Sequence, residues 1–420
     1  MTTPRGGLLL ALALLAGALV AAGSQWTAAL AQPDSWAETD YQLHWAAGRA
    51  LAAARDPYDP ASVQSIGMTA GRGFTPFCAA TPLFVAFFRW LGERPFEDGY
   101  RLLLGLNVLL LGLAVAALAA ALRRAGAPGA AALGAALALV ALDDGTWMSL
   151  WFNQLNFVTL AAVCGALWAG CSGRPRTEGA LLALATWAKL SPALILVLAA
   201  CAGRWRTVRA AVVAGVALLA LSIAVTGWDA HVSWLTMARR ELGFATQRPE
   251  GQFTNTLHAW NLAPNGVLSR AAAAGGWDHG LLLAAVWAVA LAAVGTAVLA
   301  LRCGARAGDA GPRQVFAVYA LGVAAGFLAS STTWATHLSL AAVPVAFVAL
   351  AAWESPRRGL LPRAAGALAA VLLFVPLGTL GVADDQRLDI LAKLDGCILL
   401  LIAVAAAART GAPEATPRPG

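Results

Sequence analysis

Charge is scarce in this chain. Of its 420 residues, 29 are Lys or Arg and 22 are Asp or Glu, 12% together, too few to cover a soluble domain of that length with polar surface. No Walker loop, G-x-S-x-G, H-E-x-x-H or D-x-D pair occurs. Their absence removes the phosphate cradle of NTPases, the hydrolase nucleophile elbow, the zinc helix of metalloproteases and the metal clamp of soluble nucleotide-sugar chemistry. Six cysteines (Cys78, Cys164, Cys171, Cys201, Cys303, Cys397) are scattered without C-x-x-C or metal-ligand spacing, and they read as small apolar fillers rather than as disulfides or ligands. No cofactor and no metal is expected.

The chain does have apolar sequence: 59% of its residues are hydrophobic, in recurring runs of about 18 to 24 residues. The expected fold is an all-α polytopic membrane protein, one integral membrane domain over 1–420 with about twelve spans, roughly 10 to 13. The first span covers 7–30, an outer loop 31–78, central spans 79–227, a second outer loop 228–279, C-terminal spans 280–408, and a disordered tail 409–420. Within these, 79–92 and 179–202 are each expected to cross the bilayer. The run from Gly7 to Leu30 is expected to be an uncleaved anchor, although Ala29-Leu30-Ala31 also resembles a signal cleavage site. The net charge of +7 comes from Arg clusters at the ends of apolar runs, the pattern of positive-inside loops, so the partner expected is a lipid bilayer and not nucleic acid. With both termini cytoplasmic, Arg204, Arg206, Arg209, Arg302, Arg306, Arg357 and Arg358 fall inside. Strict alternation then leaves Arg123, Arg124, Arg174 and Arg176 outside, against the charge rule. A half-crossing segment in the first half would remove the conflict, and Lys189-x-x-Pro192 is a place for a break.

Against this apolar background, the first outer loop concentrates Asp34, Glu38, Asp40, Asp56 and Asp59. Ser35-x-x-Glu38 and Thr39-x-x-Gln42 fit the capping-box pattern, so a helix is expected from about Thr39 with Asp40 in its first turn. Its apolar stripe is Leu43, Ala47, Ala50, Leu51 and Ala54, with Gln42 off the stripe and Trp36 and Trp45 at headgroup level. Asp40 has two readings, a general base or a helix-start residue favoured by the dipole. In Asp56-Pro57-Tyr58-Asp59-Pro60 the aspartate before Pro60 is a natural helix cap. Asn153, Gln154 and Asn156 put three amides at the mouth of a span, where they must meet either neighbouring helices or a ligand. Lys189, alone in an apolar run, either snorkels to the interface or pairs with an anion such as a lipid phosphate. Asn255 and His258 lie in the second outer loop among residues that suit sugars and ordinary polar loops alike. Trp334 and His337 open a later span, where an imidazolium could face a leaving phosphate or simply be a satisfied ring.

In order and spacing, these motifs resemble glycosyltransferase family 87: Asp40-Tyr41 with Ala46-Ala47, Asp56-Pro57-Tyr58-Asp59-Pro60, Pro76, Pro82-Leu83-Phe84, Asn153-Gln154-Leu155-Asn156, Lys189-Leu190-Ser191-Pro192 with Arg204-Trp205-Arg206, Asn255, and Trp334 with His337. Thr75 precedes the loop-return proline where the family often has an aromatic, and Asn153 stands where it often has Gly. The resemblance implies a GT-C fold and an inverting transfer of a hexose, by family habit mannose, from a polyprenyl-phosphate carrier to a lipid or glycan hydroxyl. It also implies a site at the outer face of a bacterial cytoplasmic membrane, with Asp40 as base and Lys189 and His337 near the donor phosphate. Asn153, Gln154, Asn156, Asn255, His258, Trp334, Tyr58 and Asp59 are the further substrate-binding candidates. The rival reading is a transporter or lipid flippase whose path the same polar residues line. Oligomeric state is not legible.

Overall fold

The computed structural model describes residues 39–69, 78–241, 261–304, 311–331, 333, 335–354, 360–374 and 386–410. The expected first span, Trp36, the carboxylates before residue 39, residues 411–420 of the expected tail, and the candidates Asn255, His258 and Trp334 lie outside them, while 409 and 410, expected in the tail, end a helix. The described residues are helical, with no strand among them. Five of these helices are long and apolar enough to cross a membrane: Phe96–Arg124, Trp205–Thr226, His279–Cys303, Pro312–Ala329 and Thr336–Trp353. This is the character of a polytopic membrane protein. The other expected spans are shorter helices or lie outside the described residues, so the count of about twelve does not follow from length and apolarity.

The loop helix α1 (Tyr41–Ala52) is followed by α2 (Pro60–Thr69), α3 (Pro82–Gly92) and α4 (Phe96–Arg124). Two expectations about α1 are corrected. Tyr41, Gln42, Trp45, Ala46, Ala47, Gly48 and Ala50 are buried, whereas Ala54 is exposed, because α1 packs on two sides and not on one stripe. On one side Tyr41 meets Phe96 and Tyr100, with ring centroids 5.1 and 5.5 Å away. On the other, Gly48 lies so close to α3 that a Cβ there would stand 2.1 Å from the Phe88 carbonyl oxygen. Trp45 sits inside this packing and not at a headgroup surface; its indole N–H donates to the Arg94 carbonyl at 3.2 Å.

That last bond also corrects the topology. Helix α3 has 11 residues, a rise of roughly 16 Å, and the chain beyond it is still at the end of the molecule that holds α1. Residues 79–92 are therefore no full crossing. The next helices are α5 (Gly129–Leu142), α6 (Asp144–Trp151), α7 (Asn156–Cys171), α8 (Pro175–Ala188), α9 (Ala193–Cys201) and α10 (Trp205–Thr226). Helices α4 and α7 run side by side in the same direction, joined near their starts by Asn107 on Asn153 at 2.9 Å and Tyr100 on the Trp151 carbonyl at 3.3 Å.

The run 179–202, expected as one span, is a hairpin of two helices. Pro192 lacks the N–H that would continue α8, and the chain turns back, so that Arg204 reaches Glu178 at 2.5 Å. Glu178, fully buried, also accepts from Thr207 at 2.8 Å and Tyr319 at 3.2 Å. With α4 descending first, Arg123, Arg124, Arg174, Arg176, Arg204 and Arg206 all collect at the end opposite α1. The half-crossing needed by the charge rule is α3, and the α8–α9 hairpin keeps the later helices in step.

Beyond α10 come α11 (Trp228–Glu241), α12 (Pro264–Gly275), α13 (His279–Gly304), α14 (Pro312–Ala329), a 3-10 helix (Ala335–Ala341), α15 (Ala342–Glu354), α16 (Leu360–Phe374) and α17 (Gln386–Thr410). The Trp234 indole donates to the Ala79 carbonyl at 3.5 Å, which ties α11 to the α1 end. Cys171 donates to the Pro312 carbonyl at 3.4 Å, so α14 starts at the opposite end and rises toward α1. Four of the six cysteines are buried, while Cys201 and Cys303 are exposed.

Candidate active site

Asp40 stands at the head of α1 with helical backbone angles, φ −61° and ψ −20°, and its side chain makes no capping bond. Its Oδ2 instead accepts from the Gln154 amide. The carboxyl is half-buried. Burial raises it from 3.8 to about 6, and the Gln154 bond and the positive charge of Lys189 act in the opposite direction. Asp40 thus stands at the helix start, as the dipole reading has it, while its side chain turns to Gln154, as a base held by a donor would.

Gln154 is placed by the turn between α6 and α7. Asn153 takes φ 52°, a left-handed conformation that asparagine tolerates better than most residues. Its fully buried amide is spent on the fold, accepting from Asn107 at 2.9 Å and donating to the Tyr100 carbonyl at 2.9 Å. Asn156 opens α7. Its Nδ2 donates to Gln154 Oε1 at 2.5 Å, to Ser149 Oγ at 2.9 Å and to the Thr336 carbonyl at 3.0 Å. Its Oδ1 accepts from the Lys189 ammonium at 2.7 Å. Lys189 caps α8 in extended conformation, φ −157° and ψ 134°. The ammonium therefore points at an amide partner instead of snorkelling.

One hydrogen-bonded line thus joins Asp40, Gln154, Asn156 and Lys189, from three separate parts of the chain. The 3-10 helix meets it from a fourth: the Thr336 carbonyl also accepts from Ser149 at 2.9 Å, and the half-buried His337 is the next residue. The Thr336 hydroxyl is buried without a partner. Thr81 donates to the Trp187 carbonyl at 2.9 Å, which clamps the loop return to the end of α8 beside Lys189.

Tyr58 and Asp59 make internal bonds. The Tyr58 hydroxyl donates to the Ala80 carbonyl at 2.8 Å. Asp59 caps α2, accepting from the Ser62 hydroxyl at 2.7 Å and the Ser62 N–H at 3.0 Å; the hydroxyl bond leads the effects holding its carboxyl below the ordinary range. His44 was not singled out by sequence reasoning. It lies one helical turn after Asp40, a spacing that puts both on one face. It stacks on Phe88 with centroids 4.4 Å apart, and Nδ1 is 3.9 Å from Cys78 Sγ. Burial lowers it to about 4, so the ring is neutral near pH 7. Among the described residues no group of His, Cys, Asp and Glu could hold a metal ion.

No curated protein and no solved structure matches this chain. A sequence profile described as Glycosyltransferase family 87 matches residues 76–331, which include Gln154, Asn156 and Lys189; Asp40 and His337 fall outside the matched stretch. That match spans more than half of the 420 residues, and the chain belongs to glycosyltransferase family 87.

Proposed function

We propose that this glycosyltransferase moves a hexose, mannose by family habit, from a polyprenyl-phosphate carrier to a hydroxyl of a lipid or glycan acceptor, with inversion at the anomeric carbon. The observation that carries the reading is the line from Asp40 to Lys189. It brings a base of suitable affinity within a few side chains of a cation, at the molecular end opposite the arginine clusters. By the positive-inside rule that end faces away from the cytoplasm, in a bacterium the outer face of the inner membrane.

In the transfer, Asp40 Oδ1 takes the proton of the acceptor hydroxyl as its oxygen attacks the anomeric carbon. The new C–O bond forms while the bond to the phosphate oxygen breaks, and the electron pair leaves with the carrier phosphate. A singly charged diester becomes a doubly charged monoester, which Lys189 and His337 stabilise in a site poor in water. Lys189 has three N–H donors, of which Asn156 takes one. The scheme needs only these side chains and the lipid-linked donor.

The test is transfer of radiolabelled mannose from polyprenyl-phosphate mannose by membranes carrying the wild-type protein or Asp40→Asn. Transfer by the wild type and its loss in Asp40→Asn are expected; equal turnover by both removes Asp40 from the mechanism.

A further inference from the structure

We propose that Gln154 and Asn156 form a one-directional amide relay that carries the influence of the Lys189 charge to Asp40 and holds the base aimed at the acceptor hydroxyl, rather than contacting the sugar. This rests on Asp40 being the base of the proposed transfer. The direction follows from the two ends. An ammonium can only donate and a carboxylate can only accept. Lys189 therefore requires Asn156 Oδ1, at 2.7 Å. The other half of that amide, Nδ2, must then face Gln154 Oε1, at 2.5 Å. Gln154 is left with its own Nε2 to present to Asp40. Turning either amide over would oppose two donors or two acceptors, so both orientations are fixed.

Capacity points the same way. The two hydrogens of Asn156 Nδ2 are already shared among Gln154, Ser149 and the Thr336 carbonyl, and the residue is only 6% exposed. No N–H of Asn156 remains free for a sugar hydroxyl. Bonds in series polarise one another when their dipoles point one way, and here each N–H points toward Asp40. The anchors are rigid: Ser149 and Asn156 are both fastened to the Thr336 carbonyl, and Asn153 pins the turn from which Gln154 projects.

Among the other titratable groups around Asp40, His44 and Cys78 supply no positive charge near pH 7. On its own helix the titratable groups are Tyr41 and His44, with Glu97 acting on Tyr41. Cys78 faces it from the loop return, and His337 follows Thr336 across the relay. His44 is neutral near pH 7, and burial pushes the Cys78 thiol up to about 12. Lys189, whose ammonium burial lowers to about 7, is still mostly charged at pH 6 and is the cation whose field reaches Asp40.

The experiment labels the protein in lipid with dicyclohexylcarbodiimide, which attacks protonated carboxyls in apolar surroundings, and reads the Asp40 peptide by mass spectrometry between pH 4 and 9. No donor sugar is present. Labelling in the wild type is expected to be half-complete at a pH of about 6. Lys189→Met, Asn156→Leu and Gln154→Leu are each expected to raise that midpoint by about one pH unit. The double variant Lys189→Met/Asn156→Leu is expected to move it no further than the larger single change, because both cut the same line. Additive shifts, or no shift in Lys189→Met, overturn the relay. If Asn156→Leu fails to fold, Gln154→Leu with Lys189→Met completes the same cycle. Shifted midpoints in a protein that transfers no sugar would refute the transferase reading alone; unshifted midpoints in an active transferase would refute the relay alone.

Discussion

Acidifying the medium from pH 7.5 to 5 is expected to remove most of the transfer activity while the protein stays folded. An aspartate ordinarily titrates at 3.8, and burial at the head of α1 brings Asp40 to about 6. The difference corresponds to ~3 kcal/mol of extra cost for charging the carboxyl. Only the carboxylate can accept the acceptor's proton, so turnover follows its deprotonated fraction: about one-tenth at pH 5, one-half at pH 6 and nine-tenths at pH 7. On folding the same difference acts in the opposite sense. The folded protein binds this proton more tightly than the unfolded chain does. The associated stability is therefore fully present below 3.8 and is lost as pH rises through about 6. Asp40→Asn keeps the shape and discards the charge, so at pH 7.5 it is expected to raise the thermal midpoint while cutting turnover by about 10²- to 10⁴-fold. The assay is the initial rate of sugar transfer at pH 5, 6, 7 and 8, with melting followed in the same buffers. A flat rate profile over that range with intact protein, or an Asp40→Asn protein that melts earlier, would refute the reasoning.

Gly48→Ala would drive a methyl into the Phe88 carbonyl, costing about 1 to 3 kcal/mol and lowering turnover by displacing Asp40 with α1; Gly105→Ala, inside α4 with no atom within 4 Å of the added Cβ, is expected to leave the rate unchanged and to stabilise by about 0.5 to 1 kcal/mol. Glu178→Leu strands Arg204, Thr207 and Tyr319 and is expected to cost ~3 to 5 kcal/mol in denaturant titration, against ~1 kcal/mol for Tyr319→Phe. Equal losses would show that the glutamate is no hub. In a cysteine-free background, cysteines at 124, 176 and 206 are expected to react with an impermeant maleimide from one side of the membrane and a cysteine at 55 from the other. A residue 124 that reacts from the same side as residue 55 contradicts the half-crossing assigned to α3.

Much of the site was legible because isolated polar residues in apolar sequence must find partners. Lys189 before Pro192 marked a helix break, and the hairpin turns there. Asn153, Gln154 and Asn156 were visible as a group but not divisible. A left-handed turn separates the buried Asn153 from Gln154, and no pattern of residue types reports a turn that depends on Tyr100 and Asn107. The span at 79–92 failed because hydropathy measures composition and not length of rise: the eleven helical residues from Pro82 are apolar enough to cross but too short. Trp45 was misplaced for a related reason, since an aromatic that suits a headgroup layer also suits a contact with Phe96. His44 left a trace in its spacing from Asp40, but its stacking on Phe88 depends on a helix contact made possible by Gly48.

The central claim is that Asp40 and Lys189 serve different stages of one transfer, and separating donor binding from turnover tests it most directly. Binding of polyprenyl-phosphate mannose to purified protein in nanodiscs, measured beside the rate of release of free polyprenyl phosphate, is predicted to give two distinct defects. Asp40→Asn binds the donor like the wild type and releases carrier phosphate at least about a hundredfold more slowly, whereas Lys189→Met binds it at least about tenfold more weakly. Loss of donor binding in Asp40→Asn, or undiminished binding in Lys189→Met, would contradict the account.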